Sequence, residues 1–535
     1  MLRSLGLFAL VASVIALAWY GMGRPVPMPP SLLAAGEKIT CISYAPFHGD
    51  QAPFTWDLHI PDAQIAGDLE RLSQSTSCVR TYSAKGAQGR VTRLAASKGL
   101  KVLQGIWLGR NRADNRREIE AALKFARRYP GTIEALIVGN EALLRGELPA
   151  AKIKAYLEEV RRRSGLPVTY ADVWEFWMKA PELASAVDFV TIHILPYWED
   201  EPVAAEDAVA HVREVRERLM TAFAGKEIWV GEVGWPSAGR MRDQALPSLA
   251  NQARVVSGVV AAAKDGGWKV NVIEAFDQPW KRLLEGTVGG YWGLYDDTRR
   301  EPKFRFGEPV SNEPHWRVKA GLGIGAAFLV FLAFWLGARD SESHKVSWRR
   351  DLAAASIALG SGLVFGWAVL NLPMESIEPG DTLRALAMLV LALVVPMAAS
   401  YAVARGDPLP GFATVLDPSC WRGPDRVGVV LAALLVATMV AAIHVALGLV
   451  FDPRYKDFPL ASLTGPVVAL AIVAFAGANT PPRPGAAETA ASIVLTFSAL
   501  FVIVNEGIAN WQALWFASLL VVLALTALRA RAAPD

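Results

Sequence analysis

The sequence predicts an α/β chain in which a (β/α)8 TIM barrel is followed by an all-α multispanning transmembrane bundle. Three observations predict it. Of 535 residues 20% are charged, but the share is roughly 24% before Trp316 and roughly 13% from there on, against about 25% in soluble chains. Residues 36–300 alternate eight short Val/Ile-rich runs with amphipathic helical stretches. Eight βα units in roughly 250 residues is the barrel count. After Lys319 come seven apolar runs, most of them near the roughly 20 residues that a span requires. Two such different materials exclude a single soluble domain and a disordered chain. The net charge of +3 gives no sign of nucleic-acid binding.

The N-terminal segment 1–23 reads Met1-Leu2-Arg3 and then an apolar run from Leu5 to Trp19. A cleaved signal ends in small residues, whereas Ala18-Trp19-Tyr20-Gly21-Met22-Gly23 carries aromatics. An uncleaved transmembrane anchor is the favoured reading and a cleaved signal the alternative. Either exports the domain downstream of it, because Arg3 stays in the cytoplasm. Residues 24–35 read as a linker and 36–312 as the barrel domain. Its strand runs begin near Ile39, Cys78, Val102, Ile133, Pro167, Val187, Glu227 and Asn271. Their continuous apolar character suits strands buried on both faces of a parallel sheet. Amphipathic helices lie between them, as at 115–126 and at 206–222, where Val209, Val212, Val215 and Leu219 form one stripe. A doubly wound sheet is the alternative, and the absence of a glycine-rich phosphate loop after the first strand counts against it.

Residues 318–530 read as a multispanning region of about seven helices, near 320–337, 352–371, 383–404, 427–450, 463–478, 490–507 and 510–528. The 463–478 run is marginal in length. With the anchor, eight spans result. Loops on the anchor's cytoplasmic side then carry ten Lys or Arg, among them Lys345, Arg422, Arg483 and Arg531, and the opposite loops carry two, Arg454 and Lys456. That bias is the positive-inside signature. It predicts a multi-pass protein of the inner (cell) membrane, with the 24–316 domain periplasmic or extracellular and the C-terminus cytoplasmic. Glu506 reads as interfacial, His444 as a satisfied interhelical hydrogen bond, and Gly362-x-x-x-Gly366 as a close helix contact.

In a barrel, chemistry sits at the strand C-termini. Strand 1 delivers Tyr44 there, strand 2 Arg80 and Tyr82, and strand 4 Asn140 and Glu141. Strand 5 delivers Tyr170 and Asp172, strand 6 His193 and then Tyr197, and strand 7 Glu232 and Trp235. Strand 8 delivers Glu274, Asp277, Trp280 and Lys281. Two carboxylates facing across the mouth can cleave a glycosidic bond, one giving a proton to the leaving oxygen and the other attacking the anomeric carbon. At a separation of about 5–5.5 Å the outcome is retention through a glycosyl-enzyme. Asn140 is positioned to bond a sugar 2-hydroxyl, and Tyr197 to orient the nucleophile. Trp174, Trp177, Trp198, Trp235, Trp280, Tyr291 and Trp292 offer flat apolar faces with polar edges for stacking on sugars.

The set Ile137-Val138-Gly139-Asn140-Glu141, Val230-Gly231-Glu232-Val233-Gly234-Trp235-Pro236 and Glu274-Ala275-Phe276-Asp277-Gln278-Pro279-Trp280-Lys281 resembles glycoside hydrolase family 17. The resemblance spans roughly residues 36–300. It implies a (β/α)8 barrel acting with retention on β-1,3-glucans, as a glucanase or glucanosyltransferase. It implies that Glu141 is the proton donor and Glu232 the nucleophile. Tyr44, Arg80, Tyr82, Asn140, Asp172, Tyr197, Trp235, Asp277, Trp280 and Lys281 are the candidate substrate-binding residues. The anchor–barrel–multispan layout is similar to that of bacterial membrane-anchored members linked to β-1,3/β-1,6 glucan assembly. The implied partners are a β-glucan substrate and acceptor, membrane lipid and a glucan synthase. One departure is Gln278, where plant and fungal members often carry Glu.

Plainer readings stand beside these. Each glutamate could be a structural ion pair with Arg80 or Lys281, and Tyr44, Arg80 and Tyr82 could pack the barrel rim. His193 reads more readily as a satisfied core histidine, Trp107 and Trp229 as core, and Asp172 and Glu274 as open between packing and site. Cys41 and Cys78 lie on adjacent exported strands. An oxidising compartment permits a disulfide, but two buried thiols are the favoured expectation. Cys420 is expected to be reduced. No His-Glu-x-x-His, Cys-x-x-Cys, Gly-x-Ser-x-Gly or Walker motif occurs, so neither metal nor cofactor is implied. Hydrolysis without transfer, a nucleotide-sugar polymerase and a glucan transporter with an exported binding domain are the competing functions. The polymerase lacks its Asp-x-Asp and Gln-x-x-Arg-Trp signatures.

Overall fold

The computed structural model describes all residues except 1, 32, 34–36, 56, 342–346, 418–425, 477–483 and 531–535. Cys420, Lys345, Arg422, Arg483 and Arg531 therefore lie outside the described residues. The chain divides into two units, Val26–Val310 and the combination of Met1–Pro25 with Ser311–Asp535.

The first unit is a closed barrel of eight strands in the order β1 to β8. They are β1 (Cys41–Ser43), β2 (Cys78–Arg80), β3 (Lys101–Ile106), β4 (Ile133–Asn140), β5 (Val168–Val173), β6 (Val190–His193), β7 (Ile228–Val233) and β8 (Val270–Val272). Every pair is parallel, and β8 closes on β1 through Cys41↔Asn271 and Ile42↔Val272. Alternate residues of a strand face opposite sides. Cys41, Cys78, Leu103, Ala135, Ile137, Ala171, Phe189 and Trp229 accordingly form one packed layer. Ile42, Val79, Val102 and Val272 point the other way and pack with helical residues such as Ile65 and Leu69. Serial α-helices come after the N-terminal α1 (Leu2–Met22): α2 (Asp62–Leu72), α3 (Val91–Ala96), α4 (Arg112–Arg128), α5 (Ala150–Ser164), α6 (Trp174–Lys179), α7 (Ala208–Ala222), α8 (Leu249–Gly266) and α9 (Arg282–Glu285). The stripe expected on α7 is its buried face, with Val212, Val215 and Leu219. Asn111 caps α4, its side chain accepting from the Ala113 and Asp114 amides, which satisfies donors that a helix start leaves open.

In the interior layer one expectation holds and one changes. Trp229 is core, stacked on Phe189 at 3.9 Å between ring centroids. Cys41 and Cys78, expected as thiols, form a disulfide. Neighbouring strands β1 and β2 carry them side by side with Cα atoms 4.4 Å apart, inside the range a disulfide spans. Both side chains point into the same interior layer, so adjacency on parallel strands brings the sulfurs together.

The second unit is helical. α1 is joined by α10 (Trp316–Arg339), α11 (Trp348–Glu375), α12 (Pro379–Arg405), the short α13 (Ala413–Leu416), α14 (Arg426–Phe451), α15 (Leu460–Ala476), α16 (Ala486–Glu506) and α17 (Trp511–Arg529). Seven of these are long and apolar enough to cross a membrane, and α15 is shorter. α1 packs as a member of the bundle: Ile15 and Trp19 are buried, Trp19 Nε1 donates to the Leu363 carbonyl and Arg3 pairs with Asp351. A side chain at Gly362 or Gly366 of α11 would run into backbone of α10, at Gly323 and Lys319. Only small residues allow such close approach, so this motif is the helix contact expected of it. Glu506 ends α16 and accepts from Asn505 and Asn510. His444 differs from expectation: it is exposed on α14 and makes no hydrogen bond among the described residues.

Removing the disulfide should leave the barrel folded but weaker. Cys41→Ser together with Cys78→Ser is expected to lower unfolding free energy by about 2–4 kcal/mol, read by denaturant titration of the full chain against the oxidised wild type.

Candidate active site

Both glutamates end their strands at the same mouth. At β4 the chain turns through Gly139, with φ +95°, and Glu141, with φ +51°. A Cβ at position 139 would sit 3.1 Å from the Tyr170 ring, so glycine is required there. Glu141 takes an uncommon backbone conformation for a residue with a side chain. It is held by its amide on the Ala171 carbonyl at 2.8 Å. Glu232 stands on β7, paired in register with His193 of β6. One carboxylate oxygen from each glutamate and a ring nitrogen of His193 all lie within 4.8 Å of one another.

Arg80 is the common partner. It is fully buried. Nη1 donates to Glu232 Oε1 at 2.9 Å and to the Gly231 carbonyl at 2.7 Å, and Nη2 donates to Asn140 Oδ1. The Tyr82 hydroxyl also donates to Glu232 Oε1, at 3.0 Å. Burial and the Glu232 charge push the Tyr82 phenol well above its ordinary range, so it stays a donor. Burial alone would push Glu141 up. The hydrogen bond and charge of His193, with Arg80 and Arg145 behind it, outweigh burial and hold that carboxyl below its usual range.

The remaining expected residues divide. Arg80, Tyr82 and Asn140 are at the glutamates, and the Asn140 amide nitrogen has no hydrogen-bond partner among the described residues. Lys281 Nζ sits 2.8 Å from both oxygens of Glu274 rather than on either paired glutamate. Trp280 is half-buried, its Nε1 donating to Gln278 Oε1 and its ring edge-on to Phe54 at 5.5 Å. Gln278, the departure from the pattern, is buried and its amide reaches the Ala45 and Phe47 carbonyls.

Five expectations do not hold in this geometry. Tyr197 does not orient Glu232; it is fully buried and donates to the Arg240 carbonyl at 2.9 Å, and Tyr82 takes the place expected of it. Trp235 is fully buried with Nε1 on the Leu246 carbonyl, and so is no exposed sugar platform. Tyr44 is fully buried and donates to Asp68. Asp172 is fully buried, accepting from Tyr170 and from the Leu143 and Val173 amides. Asp277 is buried against Lys303 at 2.6 Å and the Gly293 amide. Each of these polar groups is saturated by the protein itself, as burial demands. Trp177 and Trp292 are buried as well, while Trp174 and Trp198 remain half-buried.

Sequence reasoning missed three groups. Trp107, read as core, is 40% exposed at the end of β3, with the Arg145 guanidinium 4.2 Å above its ring. Arg145 also donates to the Asn140 carbonyl, so it ties an exposed indole to the Asn140-Glu141 turn. Glu285 on α9 is a further carboxyl held up by burial, its charge felt by both paired glutamates. His193, read as core, is fully buried yet lies on Glu141. Position at a strand end was the available signal for Trp107 and His193; none marked Glu285.

A parallel barrel with two glutamates this close at its C-terminal mouth has the architecture of a glycoside hydrolase. The family comparison agrees. Residues 41–293 match the BtgE/BtgC glycoside hydrolase domain. The protein is a glycosidase. It is 27% identical over 256 residues to the glucan 1,3-beta-glucosidase BGL2 of Candida albicans, a match covering 44% of this chain and 83% of that protein. It is 28% identical over 267 residues to the probable family 17 glucosidase SCW10 of Saccharomyces cerevisiae, covering 49% of this chain and 65% of the relative. Among solved structures, the beta-1,3-glucanosyltransferase of Rhizomucor miehei, as an active-site mutant in complex with laminaritriose, aligns at 22% identity with a TM-score of 0.45, covering 52% of this chain and 99% of that one.

The buried carboxyls around the mouth set a pH dependence of stability. Burial pushes Asp172 up to about 6, and Glu274 and Asp277 to about 7 against their lysine partners. A carboxyl whose pKa is raised by folding lends stability that is complete below its unfolded value and is lost as pH rises through the folded one. Unfolding free energy is therefore expected to fall between about pH 4 and pH 7, by on the order of a few kcal/mol. Denaturant titrations across that range check it, and Asp172→Asn should flatten the slope.

Proposed function

We propose that the protein is a membrane-anchored retaining β-1,3-glucan-active enzyme that cleaves its substrate through a glycosyl-enzyme and transfers the glycan to an acceptor glucan. The observation carrying this reading is the approach of Glu141 and Glu232, with oxygens within 4.8 Å. Retention goes with carboxyls about 5–5.5 Å apart, whereas inversion needs about 6.5–9.5 Å to admit a water between sugar and base. The names of the relatives support a β-1,3-glucan as substrate.

In this reading Glu232 is the nucleophile. Arg80 and Tyr82 both donate to its Oε1, and together they fix the orientation of the carboxylate. A Glu232 oxygen forms a bond to the anomeric carbon as the glycosidic carbon–oxygen bond breaks. Glu141 passes its proton to the departing oxygen. In the second step Glu141, now a carboxylate, takes the proton of an acceptor hydroxyl whose oxygen displaces Glu232. The free amide nitrogen of Asn140 reaches for the sugar 2-hydroxyl, a contact that strengthens in the transition state. Trp107 and the Trp280–Phe54 pair supply stacking faces on the sugar subsites.

The seven long apolar helices support membrane anchoring. The loop-charge asymmetry supports a periplasmic or extracellular barrel and a cytoplasmic C-terminus. On that side the donor is a finished glucan, handed on by a synthase, and the product is a remodelled or β-1,6-branched glucan. Full-length protein in detergent, given laminari-oligosaccharides, is expected to yield products longer than the substrate, with β-1,6 linkages among them. Shorter products alone would assign hydrolysis instead. Glu141→Gln is expected to lower turnover about 10²–10⁴-fold, and Glu232→Ala to abolish glycosyl-enzyme formation; a variant that keeps wild-type turnover removes that residue from the mechanism.

A further inference from the structure

Between the two glutamates stands a side chain that neither proton transfer nor nucleophilic attack uses. His193 ends β6 and is fully buried. Its Nδ1 lies 2.7 Å from Glu141 Oε1, and its Nε2 lies 3.3 Å from Arg80 Nη1 and 3.7 Å from Glu232 Oε1. The charged groups facing the ring are therefore Glu141 from β4, Arg80 from β2, Glu232 from β7 and, through its field, Asp172 from β5. An imidazole so deep and so enclosed by charge has a specified orientation.

Arg80 decides the tautomer. A guanidinium nitrogen cannot accept, and both Nη1 hydrogens already go to the Gly231 carbonyl and Glu232 Oε1. A proton on Nε2 would therefore face a cation with no acceptor within hydrogen-bond distance among the described residues, whereas Nδ1 lies beside Glu141 Oε1. The ring proton then resides on Nδ1, aimed at Glu141. We infer that His193 is a positioning residue: its Nδ1–H occupies Glu141 Oε1 throughout the reaction and leaves Oε2 as the one oxygen that carries the proton to and from the sugar.

The count of lone pairs and protons balances. In the first step Oε2 gives its proton to the leaving oxygen, and the new carboxylate keeps the Nδ1–H bond it already had. In the second step Oε2 takes the acceptor's proton. His193 neither gains nor loses a proton in either step. Its bond strengthens when Glu141 becomes anionic, because hydrogen bonds to a charged partner are roughly twice as strong as neutral ones. The ring thus favours proton release by Glu141, and the same bond holds that carboxyl below its usual range in the free enzyme. Readiness to give the proton up is gained at the cost of a narrower pH range in which the proton is present.

The inference rests on the glycosidase reading of the two glutamates, and the test separates the two. Full-length wild type, His193→Ala and His193→Asn are assayed on laminari-oligosaccharides across pH, with ligand binding and thermal melting followed in parallel. Cleavage by wild type checks the glycosidase reading alone. His193→Ala is expected to bind the ligand within about threefold of wild type, to lose at least tenfold in kcat, and to move the alkaline limb of kcat/KM upward by about one pH unit. Asn, whose amide can place an N–H near the Nδ1 position, is expected to recover most of kcat and to return the limb. An Ala variant that melts like wild type and keeps its limb and kcat overturns the inference, as does an Asn variant that matches Ala in every readout. Nitrogen NMR of the substrate-free full chain gives a check independent of turnover. A protonated Nδ1 that changes environment in Glu141→Gln is the expected signal, and an unprotonated Nδ1 overturns the assignment.

Discussion

One buried cation organises the mouth of this barrel. Arg80 is enclosed completely, and a charge removed from water survives only where partners replace its hydration. Glu232, the Gly231 carbonyl and Asn140 supply those partners, from the ends of β7 and β4. The guanidinium fork is rigid and planar, so satisfying it fixes where those two strands present their ends. The spacing of the two glutamates is in this sense a by-product of pairing one arginine. The closed parallel sheet contributes by placing β2, β4, β6 and β7 around a common axis with all C-termini on one side.

Much of this was legible in the chain. Apolar runs with Glu141 and Glu232 at their ends mark buried strands that deliver a charge, which is costly unless it is used or paired. Arg80 and Tyr82, two residues apart on one strand end, could be read the same way. The failures have a common cause. Tyr44, Asp172, Tyr197, Trp235 and Asp277 occupy strand ends too, but sequence position does not say whether a loop folds over them. In the structure the protein's own carbonyls, amides and charged side chains cover them. Trp107 fails in the opposite sense: a tryptophan within an apolar run looks internal, yet it falls one residue past β3, where the alternation no longer turns it inward. The cysteines show the limit on pairing. Which neighbour of β2 faces Cys78 depends on register, and register is set by the whole barrel rather than by the local run.

The helical unit obeys a different physical logic. Its core mixes alanines with large side chains such as Phe331, Phe334, Leu435 and Phe516, and at Gly323, Gly362 and Gly366 the backbones of α10 and α11 approach as closely as only small residues allow. α1 shares that core through Ile15, so the first helix is a structural member of the bundle. The apolar runs were legible from length and composition. The exposure of His444 was not, because rotation of a uniformly apolar helix leaves little trace in its sequence.

The two ends of the barrel unit meet. Val26 and Val310 exchange backbone hydrogen bonds of 2.8 and 3.0 Å, beside a small cluster formed with Met28, Ala250, Ala253 and Phe304. The catalytic domain is thus an insertion closed at its own neck, and its chain enters and leaves through a single antiparallel clasp. Excising everything between Val26 and Val310 would leave α1 and α10 joined across a short gap, so the barrel can be removed without breaking the continuity of the helical unit.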